Sequence, residues 1–369
     1  MDTSRQQRIQ QLAQMFHVIG SPFVENPDIT LPTKSEIDDL FEFSFENRVG
    51  LLFLQKCVDL GAELSLAGQE NYRRLDQRRS DTEDVLVKLT KILDAIHKDN
   101  WALFKTVKPF PSTPNDTDWF PFDEEDHPKL CEHLLRSGFS FLEEAPLQTT
   151  LIDDSGVGAA DSDKRGGVWY IDCYRAPGAD YFKYLDPSKM KRHLIRTEVK
   201  GEMLPNLASP AELTAICYHN VFPERTYSVE SFYLILHYLK DMYDRDLIDE
   251  FIRTVHENCV PRSVSANLAV TRALHRHHFG FVPKILDDLL VTFCKAVSEE
   301  NTLAEDNYFL PYNFTNSCFW LCFAEKLKDP ISFKSIFVQA FHMANPVFAW
   351  GVLKIIWKRT RRGAIYKQM

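Results

Sequence analysis

Two aspartates near the middle of the chain combine a residue type and a spacing suited to binding a divalent metal. Asp116 and Asp118 are two residues apart in the run Asp116-Thr117-Asp118-Trp119. On a strand, residues i and i+2 point to the same face, with Cα atoms about 6.6 Å apart. Two such carboxylates repel each other, and a cation such as Mg²⁺ relieves this repulsion while orienting a triphosphate. The spacing therefore predicts a divalent-metal site.

A third acid supports this prediction because its surroundings are apolar. Asp172 lies within the apolar run from 168 to 174, and a carboxylate that is buried needs a partner. That partner is either the metal shared with the first two aspartates or a nearby base such as Arg175 or Arg192. The spacing of Asp116 and Asp118 is itself common in turns, so the three acids together carry the prediction.

Short apolar runs predict the strands that must position these acids. They cover residues 101–107, 117–122, 149–152 and 168–174. The last two flank a loop rich in Gly and Asp, residues 153–167, and are predicted to form an antiparallel hairpin. A helix is predicted between the second and third runs. Its proposed cap, early proline, buried face and stop are Asp126, Pro128, the leucines Leu130, Leu134 and Leu135, and Gly138.

The segments on either side are predicted to be helical. Apolar residues at helical spacing indicate an N-terminal helical region over residues 1–84, and a helix over 80–99 leads into an α+β core over residues 85–205. Helical patterns return after Asn206 and predict a large all-helical C-terminal domain over residues 206–369. The predicted fold class is α+β, with a small core between helical flanks.

Composition indicates an ordered globular protein. The chain has 369 residues, 44% of them hydrophobic and 26% charged, which allows one to three domains. Its eight cysteines show no CxxC spacing and are predicted to be reduced core thiols. The polar start lacks the apolar region of a secretory signal, so a cytoplasmic location is predicted. A net charge of −9 gives no overall field that favours nucleic acid.

The C-terminal end has an unusual pattern of its own. An apolar stretch over 336–357 is interrupted by His342, Asn345, Pro346 and Lys354, so a buried helix pair is predicted and no membrane span is expected. From Lys354 onward the chain has basic residues and no acid. This basic tail is either a solvated helix end or a contact for phosphate or another anionic acceptor.

The order of these features resembles the uncharacterised nucleotidyltransferase family of the polymerase-beta type. A later helix also matches, because Glu212 lies near its predicted start and His219 near its end, as in the family's helix that carries a histidine after an acidic start. The resemblance covers roughly residues 85–290. In chain order, its motifs are a helix, Leu103-Phe104-Lys105, Asp116-Thr117-Asp118, a helix ending in Ser137-Gly138-Phe139, and Ile171-Asp172.

The resemblance implies a mixed sheet with helices on one side, and a metal-dependent transfer at the three aspartates. Mg²⁺ or Mn²⁺ and a nucleoside triphosphate such as ATP would bind there, and a nucleoside monophosphate would pass to an acceptor hydroxyl. Asp116 and Asp118 would hold the metals. Asp172 would act as a further ligand or as the base that takes the hydroxyl proton.

The resemblance also implies that residues other than the three aspartates contact the triphosphate. Lys105 would meet triphosphate oxygens as a point charge, with Thr106 beside it, and His219 would approach the phosphates from the helical region. A surface lysine and a hydrogen-bonded core histidine are the alternatives for Lys105 and His219.

The chain departs from the family pattern around Lys105. The family usually has a glycine-containing pair near this lysine, whose backbone can approach phosphates, whereas this chain has Lys105-Thr106-Val107-Lys108. Two alternatives to an ordinary transferase with a small-molecule, protein or RNA acceptor follow. One is a catalytically inactive binding or partner protein of the same fold, and the other is a toxin-like enzyme that nucleotidylates tRNA or protein.

Overall fold

Helices precede, flank and follow one large sheet in the computed structural model, which describes residues 3–24, 31–114, 116–153, 169–293 and 310–361. The mixed α and β content agrees with the predicted class. The helices before the sheet are α1 (Thr3–Ile19), α2 (Lys34–Glu46), α3 (Gly50–Asp59) and α4 (Leu66–His97).

Helix α4 is much longer than the sequence predicts. The helix expected over 80–99 is present, but it begins at Leu66, where the Ser65 hydroxyl accepts a hydrogen bond from the Gly68 N–H at 2.9 Å. Its second half buries apolar residues including Val85 and Leu89, as predicted. Its first half is mostly polar and has no apolar stripe for a pattern to detect. The helix therefore continues unbroken across the predicted boundary at residue 84.

The sheet is mixed, as the family resemblance implies. Its strands are β1 (Trp101–Leu103), β2 (Asp116–Pro121), β3 (Ser140–Ala145), β4 (Gln148–Asp153), β5 (Trp169–Tyr174), β8 (Leu194–Val199) and β9 (Glu202–Leu207). The strand order is β3-β4-β5-β2-β1-β9-β8, and the pairs β2 with β5 and β1 with β9 are parallel. The hairpin predicted between the third and fourth apolar runs is confirmed as antiparallel β4 and β5. Most of its loop, residues 154–168, lies outside the described residues. A separate ribbon contains β6 (Gly178–Ala179) and β7 (Phe182–Lys183).

Helix α5 (His127–Arg136) connects β2 to β3 and corresponds to the helix predicted there. Pro128 lies in its first turn, as expected, but two details of the prediction are wrong. Asp126 makes no side-chain cap, because its carboxylate accepts a hydrogen bond from the Asn100 amide at 2.7 Å. Leu135 does not contribute to the buried face, since it is 39% exposed.

The two faces of the sheet belong to two separate hydrophobic cores. Trp119 of β2 and Ile171 of β5 lie in a smaller core shared with α4 and α5. Phe120, the residue after Trp119, and Tyr174, three residues after Ile171, lie in the larger core shared with the flanking helices. Helices thus cover both faces, whereas the resemblance implies one side. Because side chains alternate along a strand, the aspartates of β2 and β5 share the face of the larger core.

Over the residues described after Asn206, the C-terminal part is predominantly helical but not all-helical as predicted. A short antiparallel ladder joins β10 (Thr226–Tyr227) to β11 (Tyr312–Asn313), so the region is not all-helical. Helix α6 (Pro187–Met190) lies before β8. The helices of the C-terminal part are α7 (Ser209–His219), α8 (Val229–Asp244), α9 (Ile248–Glu257), α10 (Pro261–Phe279), α11 (Lys284–Phe293), α12 (Asn316–Lys326), α13 (Pro330–Met343) and α14 (Pro346–Arg361).

Helices α13 and α14 are the pair predicted from the apolar stretch over 336–357, but the prediction that they are buried is wrong. Phe341 is 78% exposed and Trp350 is 70% exposed. Among the described residues, no single helix is long and apolar enough to cross a membrane. Helix α13 and the start of α14 pass that test only when taken together, and they are bent by 114°.

A buried ion pair ties α4 to the sheet and yields a stability prediction. Lys88 Nζ lies 3.0 and 2.9 Å from the two carboxylate oxygens of the fully buried Asp153. Lys88→Met should lower the free energy of unfolding by about 3 kcal/mol, because it removes the ammonium that pairs with a buried carboxylate. Urea unfolding at neutral pH measures this. The control Lys91→Met removes an exposed pair with Glu202 and should cost about 0.5 kcal/mol; equal losses would contradict the prediction.

Candidate functional site

The register between β2 and β5 brings the predicted acids together. The two strands are parallel, and Asp118 lies directly opposite Asp172. Asp116 is two residues before Asp118 and therefore shares its face. Neighbouring strands are about 4.8 Å apart, so Asp118 and Asp172 are adjacent across the ladder. Asp118 is buried, whereas Asp116 and Asp172 are half-buried.

Lys105 lies in the loop that leaves β1 and contacts this group of acids. Its ammonium is 2.9 Å from Asp118 Oδ2, and its backbone N–H donates a hydrogen bond to the Glu212 carboxylate. The side chain is largely buried, so the surface-lysine alternative is wrong. The φ angle of Lys105 is +59°, in the left-handed region that favours glycine. These two contacts offset the strain of a lysine in this conformation.

Thr106 fixes the same loop to the strand that carries the aspartates. Its hydroxyl accepts a hydrogen bond from the backbone N–H of Asp118 at 3.0 Å, and it lies 3.2 Å from the carbonyl oxygen of Phe104, to which it donates. The predicted contact residue Thr106 is therefore buried against the backbone of Asp118. Its role here is to hold Lys105 and Asp118 at a defined separation.

Asp172 has a neutral hydrogen-bond donor as its partner rather than a base. The Thr150 hydroxyl on β4 donates to Asp172 Oδ1 at 2.7 Å. Arg175 instead pairs with Glu144, and Arg192 pairs with the carboxylates of α9. The alternative in which one of these arginines neutralises Asp172 is therefore wrong. No pattern in the sequence indicated Thr150, because cross-strand partners depend on register.

The carboxylates influence one another strongly. Burial raises the pKa of Asp118 to about 7, with a further rise from Asp116 and Asp172, while the Lys105 ammonium opposes the shift. Burial and Asp116 also raise the pKa of Asp172, against the effect of the Thr150 hydrogen bond. Burial lowers the pKa of Lys105, but the neighbouring Asp118 outweighs it and the net change is upward. The site concentrates negative charge that one lysine partly balances.

Glu212 is a site residue whose role the sequence did not reveal. It lies in the first turn of α7 and is 2% exposed, with one carboxylate oxygen accepting from the Lys105 N–H. Among the described residues its other oxygen, Oε2, is buried without a hydrogen-bond partner. Burial raises the pKa of Glu212 to about 8, against the opposing effect of Lys105. An acid within a helix of otherwise apolar and small residues was the available signal.

His219 lies two turns after Glu212 on α7. The resemblance implies one helix that carries both residues. Its Nδ1 is 3.1 Å from the Tyr184 hydroxyl, and its Nε2 is 3.5 Å from a Glu224 carboxylate oxygen. Tyr184 is close enough to Lys105 to raise the lysine pKa. His219 is thus hydrogen-bonded to Tyr184, whose hydroxyl influences the charge of Lys105. Tyr184 was another residue that sequence reasoning missed.

The chemistry of the acids fits a hard divalent cation, since Mg²⁺ prefers carboxylate oxygens and would offset their mutual repulsion. Their arrangement, however, includes the Lys105 ammonium as the counter-charge at Asp118. Across the described ranges, no group of three or more His, Cys, Asp or Glu side chains is arranged so that it could hold a metal ion. Metal binding by all three aspartates therefore requires their side chains to rearrange.

The site is thus a set of one buried and two half-buried acids on two parallel strands, with one lysine at Asp118 and a contact from α7 to that lysine. When the chain was compared with protein-family models, curated proteins and solved structures, none of the three comparisons found a match.

Proposed function

We propose that this chain is a Mg²⁺- or Mn²⁺-dependent nucleotidyltransferase that uses a nucleoside triphosphate such as ATP. It would transfer a nucleoside monophosphate to an acceptor hydroxyl. The observation that carries the proposal is the parallel register that sets Asp118 beside Asp172, with Asp116 on the same face. Buried like charges at this separation are costly, and a bound cation is the simplest means of offsetting the cost.

The proposed roles of the three aspartates follow from the surroundings of each. Asp116 and Asp118 would hold the metal, which would supply the positive charge that orients the triphosphate. Asp172 would be either a further ligand or a general base, and its raised pKa suits the second role. The acceptor oxygen would then bond to the α-phosphorus as its proton passes to Asp172, and the bond to pyrophosphate would break.

Lys105 and Glu212 would prepare the triphosphate side of the site. Glu212 fixes the backbone of Lys105, and Lys105 holds a positive charge beside Asp118. A lysine ammonium is a compact point charge with three donors, so it can exchange a carboxylate oxygen for a phosphate oxygen. In this proposal Lys105 compensates the acids before the nucleotide binds and contacts the triphosphate afterwards.

Labelled triphosphates test the proposal directly. The protein is incubated with a cell extract, Mg²⁺ and ATP that carries the label on either the α- or the γ-phosphate. Transfer of a nucleoside monophosphate places only the α-label on the acceptor and releases the γ-label in pyrophosphate. A chelator should abolish labelling. Transfer of the γ-label, or labelling that persists with chelator present, would sink the proposal.

A catalytically inactive binding protein is the second candidate. It is supported by the Lys105–Asp118 pair and by the absence of a metal-ready group among the described residues. Such a protein would give no α-labelled product and would bind its ligand equally well with chelator. If the α-label instead enters RNA or protein, the acceptor class of the toxin-like alternative is favoured.

A further inference from the structure

Helix α13 turns its polar side toward the protein. Ser332 donates a hydrogen bond from its hydroxyl to the carbonyl oxygen of Lys183 at 2.8 Å, and the Lys183 N–H donates to the Ser335 hydroxyl at 3.1 Å. The Gln339 side chain accepts from the Tyr181 N–H at 2.9 Å. Residues 332, 335 and 339 share one helical face, so this polar face is bonded to the β6–β7 ribbon.

The opposite side of α13 and one side of α14 are apolar and exposed to solvent. A surface helix normally buries its apolar stripe and exposes its polar face, which is the reverse of this arrangement. Large exposed apolar patches on proteins mark interaction surfaces. We call this patch the apolar C-terminal surface, and its members are Phe333, Phe337, Val338, Phe341, Val347, Trp350 and Leu353.

Buried contacts fix this orientation at the start of α13. The fully buried Lys326 donates to the Asn258 carbonyl oxygen at 2.6 Å and pairs with Asp329 Oδ2 at 2.9 Å. The same Asp329 oxygen accepts a hydrogen bond from Ser332 at 2.7 Å. Further along, the His342 ring stacks on Tyr181 with ring centroids 3.8 Å apart. The apolar surface is therefore held outward by the packing of the chain.

The charge around the apolar C-terminal surface identifies the kind of partner. Residues 330–369 contain seven Lys or Arg and no Asp or Glu, although the whole chain has a net charge of −9. Lys334 and Lys354 are exposed beside the patch. A second copy of the chain would bring the same positive charge to the contact and be repelled. An anionic lipid surface would match both the apolar side chains and the basic ones.

We propose that α13 and α14 form an interfacial binding site for anionic lipid membranes. The pair would lie in the plane of the interface without crossing it, consistent with the 114° bend between the helices. Phe337, Phe341 and Trp350 would enter the boundary between headgroups and acyl chains, and the basic residues would contact lipid phosphates. This site is independent of the three aspartates and of the function proposed for them.

Sedimentation with lipid vesicles tests the proposal on the full chain without nucleotide. The protein should sediment with vesicles of phosphatidylcholine and phosphatidylglycerol, but not with phosphatidylcholine alone, and binding should weaken at high salt. Phe341→Ser combined with Trp350→Ser should reduce partitioning at least about tenfold, since two large apolar contacts are lost. Lys354→Ala should reduce it about fivefold. Both mutated aromatics are exposed, so folding should be unaffected.

A matched control separates this site from general surface hydrophobicity. Val291 on α11 is 81% exposed, and Val291→Ser should leave partitioning unchanged. An equal loss in the control would overturn the proposal, as would failure of the unmodified protein to sediment with anionic vesicles. Light scattering measures whether the chain forms a dimer, which is the remaining outcome. A dimer that Phe341→Ser dissociates, without vesicle binding, would show that a second copy covers the surface and would also overturn the proposal.

Discussion

Replacing Asp118 by asparagine should lower the rate of α-label transfer by a factor on the order of 10³ or more, because a metal-binding charge is lost from the reacting centre. Asp116→Ala should have an effect of the same order. Asp118 lies opposite Asp172, and Asp116 shares the face that the proposal assigns to the metal. Single-turnover rates at saturating Mg²⁺ and ATP would measure the loss, since they separate chemistry from product release.

The control for Asp118→Asn has to distinguish lost chemistry from lost stability. Asp118→Asn removes the carboxylate that pairs with Lys105, so the variant should also melt at a lower temperature. The double variant Lys105→Met with Asp118→Asn removes both charges and should recover stability without recovering transfer. Asp123→Asn changes an exposed aspartate five residues along and should leave transfer unchanged. Turnover that persists in Asp118→Asn would contradict the assignment.

Glu212 should make the protein less stable as pH rises through neutrality. Its folded-state pKa is raised from 4.5 to about 8 by burial, so the folded state holds its proton more tightly than the unfolded state does. This contribution to the free energy of unfolding is fully present below pH 4.5 and is lost as the pH rises toward 8. At about 1.36 kcal/mol per pKa unit, the full loss is on the order of 5 kcal/mol. Asp118 contributes in the same direction, because burial raises its pKa from 3.8 to about 7.

Glu212→Gln isolates this contribution, because glutamine cannot ionise and still offers an oxygen to the Lys105 N–H. Urea unfolding of both proteins between about pH 5 and pH 8.5 should show that the variant loses less stability than the unmodified chain. Glu198 is exposed, and Glu198→Gln should leave the pH dependence unchanged. Parallel stability curves for Glu212→Gln and the unmodified chain would show that Glu212 does not titrate in this range.

The sequence predicted the elements whose apolar pattern is strong and local. The hairpin of β4 and β5 and helices α5, α7 and α8 all show such patterns and are present. Strand β3 was missed because its residues are mostly exposed and include Glu143 and Glu144, so it has no alternating apolar face. The long polar half of α4 was missed for a similar reason.

The candidate site was predictable in its residue types but not in its contacts. Spacing alone placed Asp116 and Asp118 on one face, and the apolar run around Asp172 suggested its burial. The pairing of Asp118 with Lys105, and of Asp172 with Thr150, depends on strand register and on a loop conformation at positive φ. Neither can be read from one sequence, because each depends on residues distant in the chain.

The exposure of α13 and α14 shows the limit of composition as a guide to burial. An apolar stretch interrupted by polar residues predicts a buried pair when the partner is assumed to be the same chain. Here the polar residues Ser332, Ser335 and Gln339 make hydrogen bonds to the chain. The large aromatic residues Phe337, Phe341 and Trp350 are exposed. The assumption about which face points inward was therefore wrong.

Helix α4 has a mechanical consequence for the whole molecule. Its 32 residues form a rod about 48 Å long at 1.5 Å per residue. One end packs with the N-terminal helices and the other supports the sheet face opposite the aspartates. A shorter chain starting at residue 85 would cut this rod, exposing Val85 and Leu86 at a frayed end. Through α4, the N-terminal helices thus stabilise the strands that carry the acids. Removing these helices should make the strands of the site more mobile, because the opposite face of the sheet loses support.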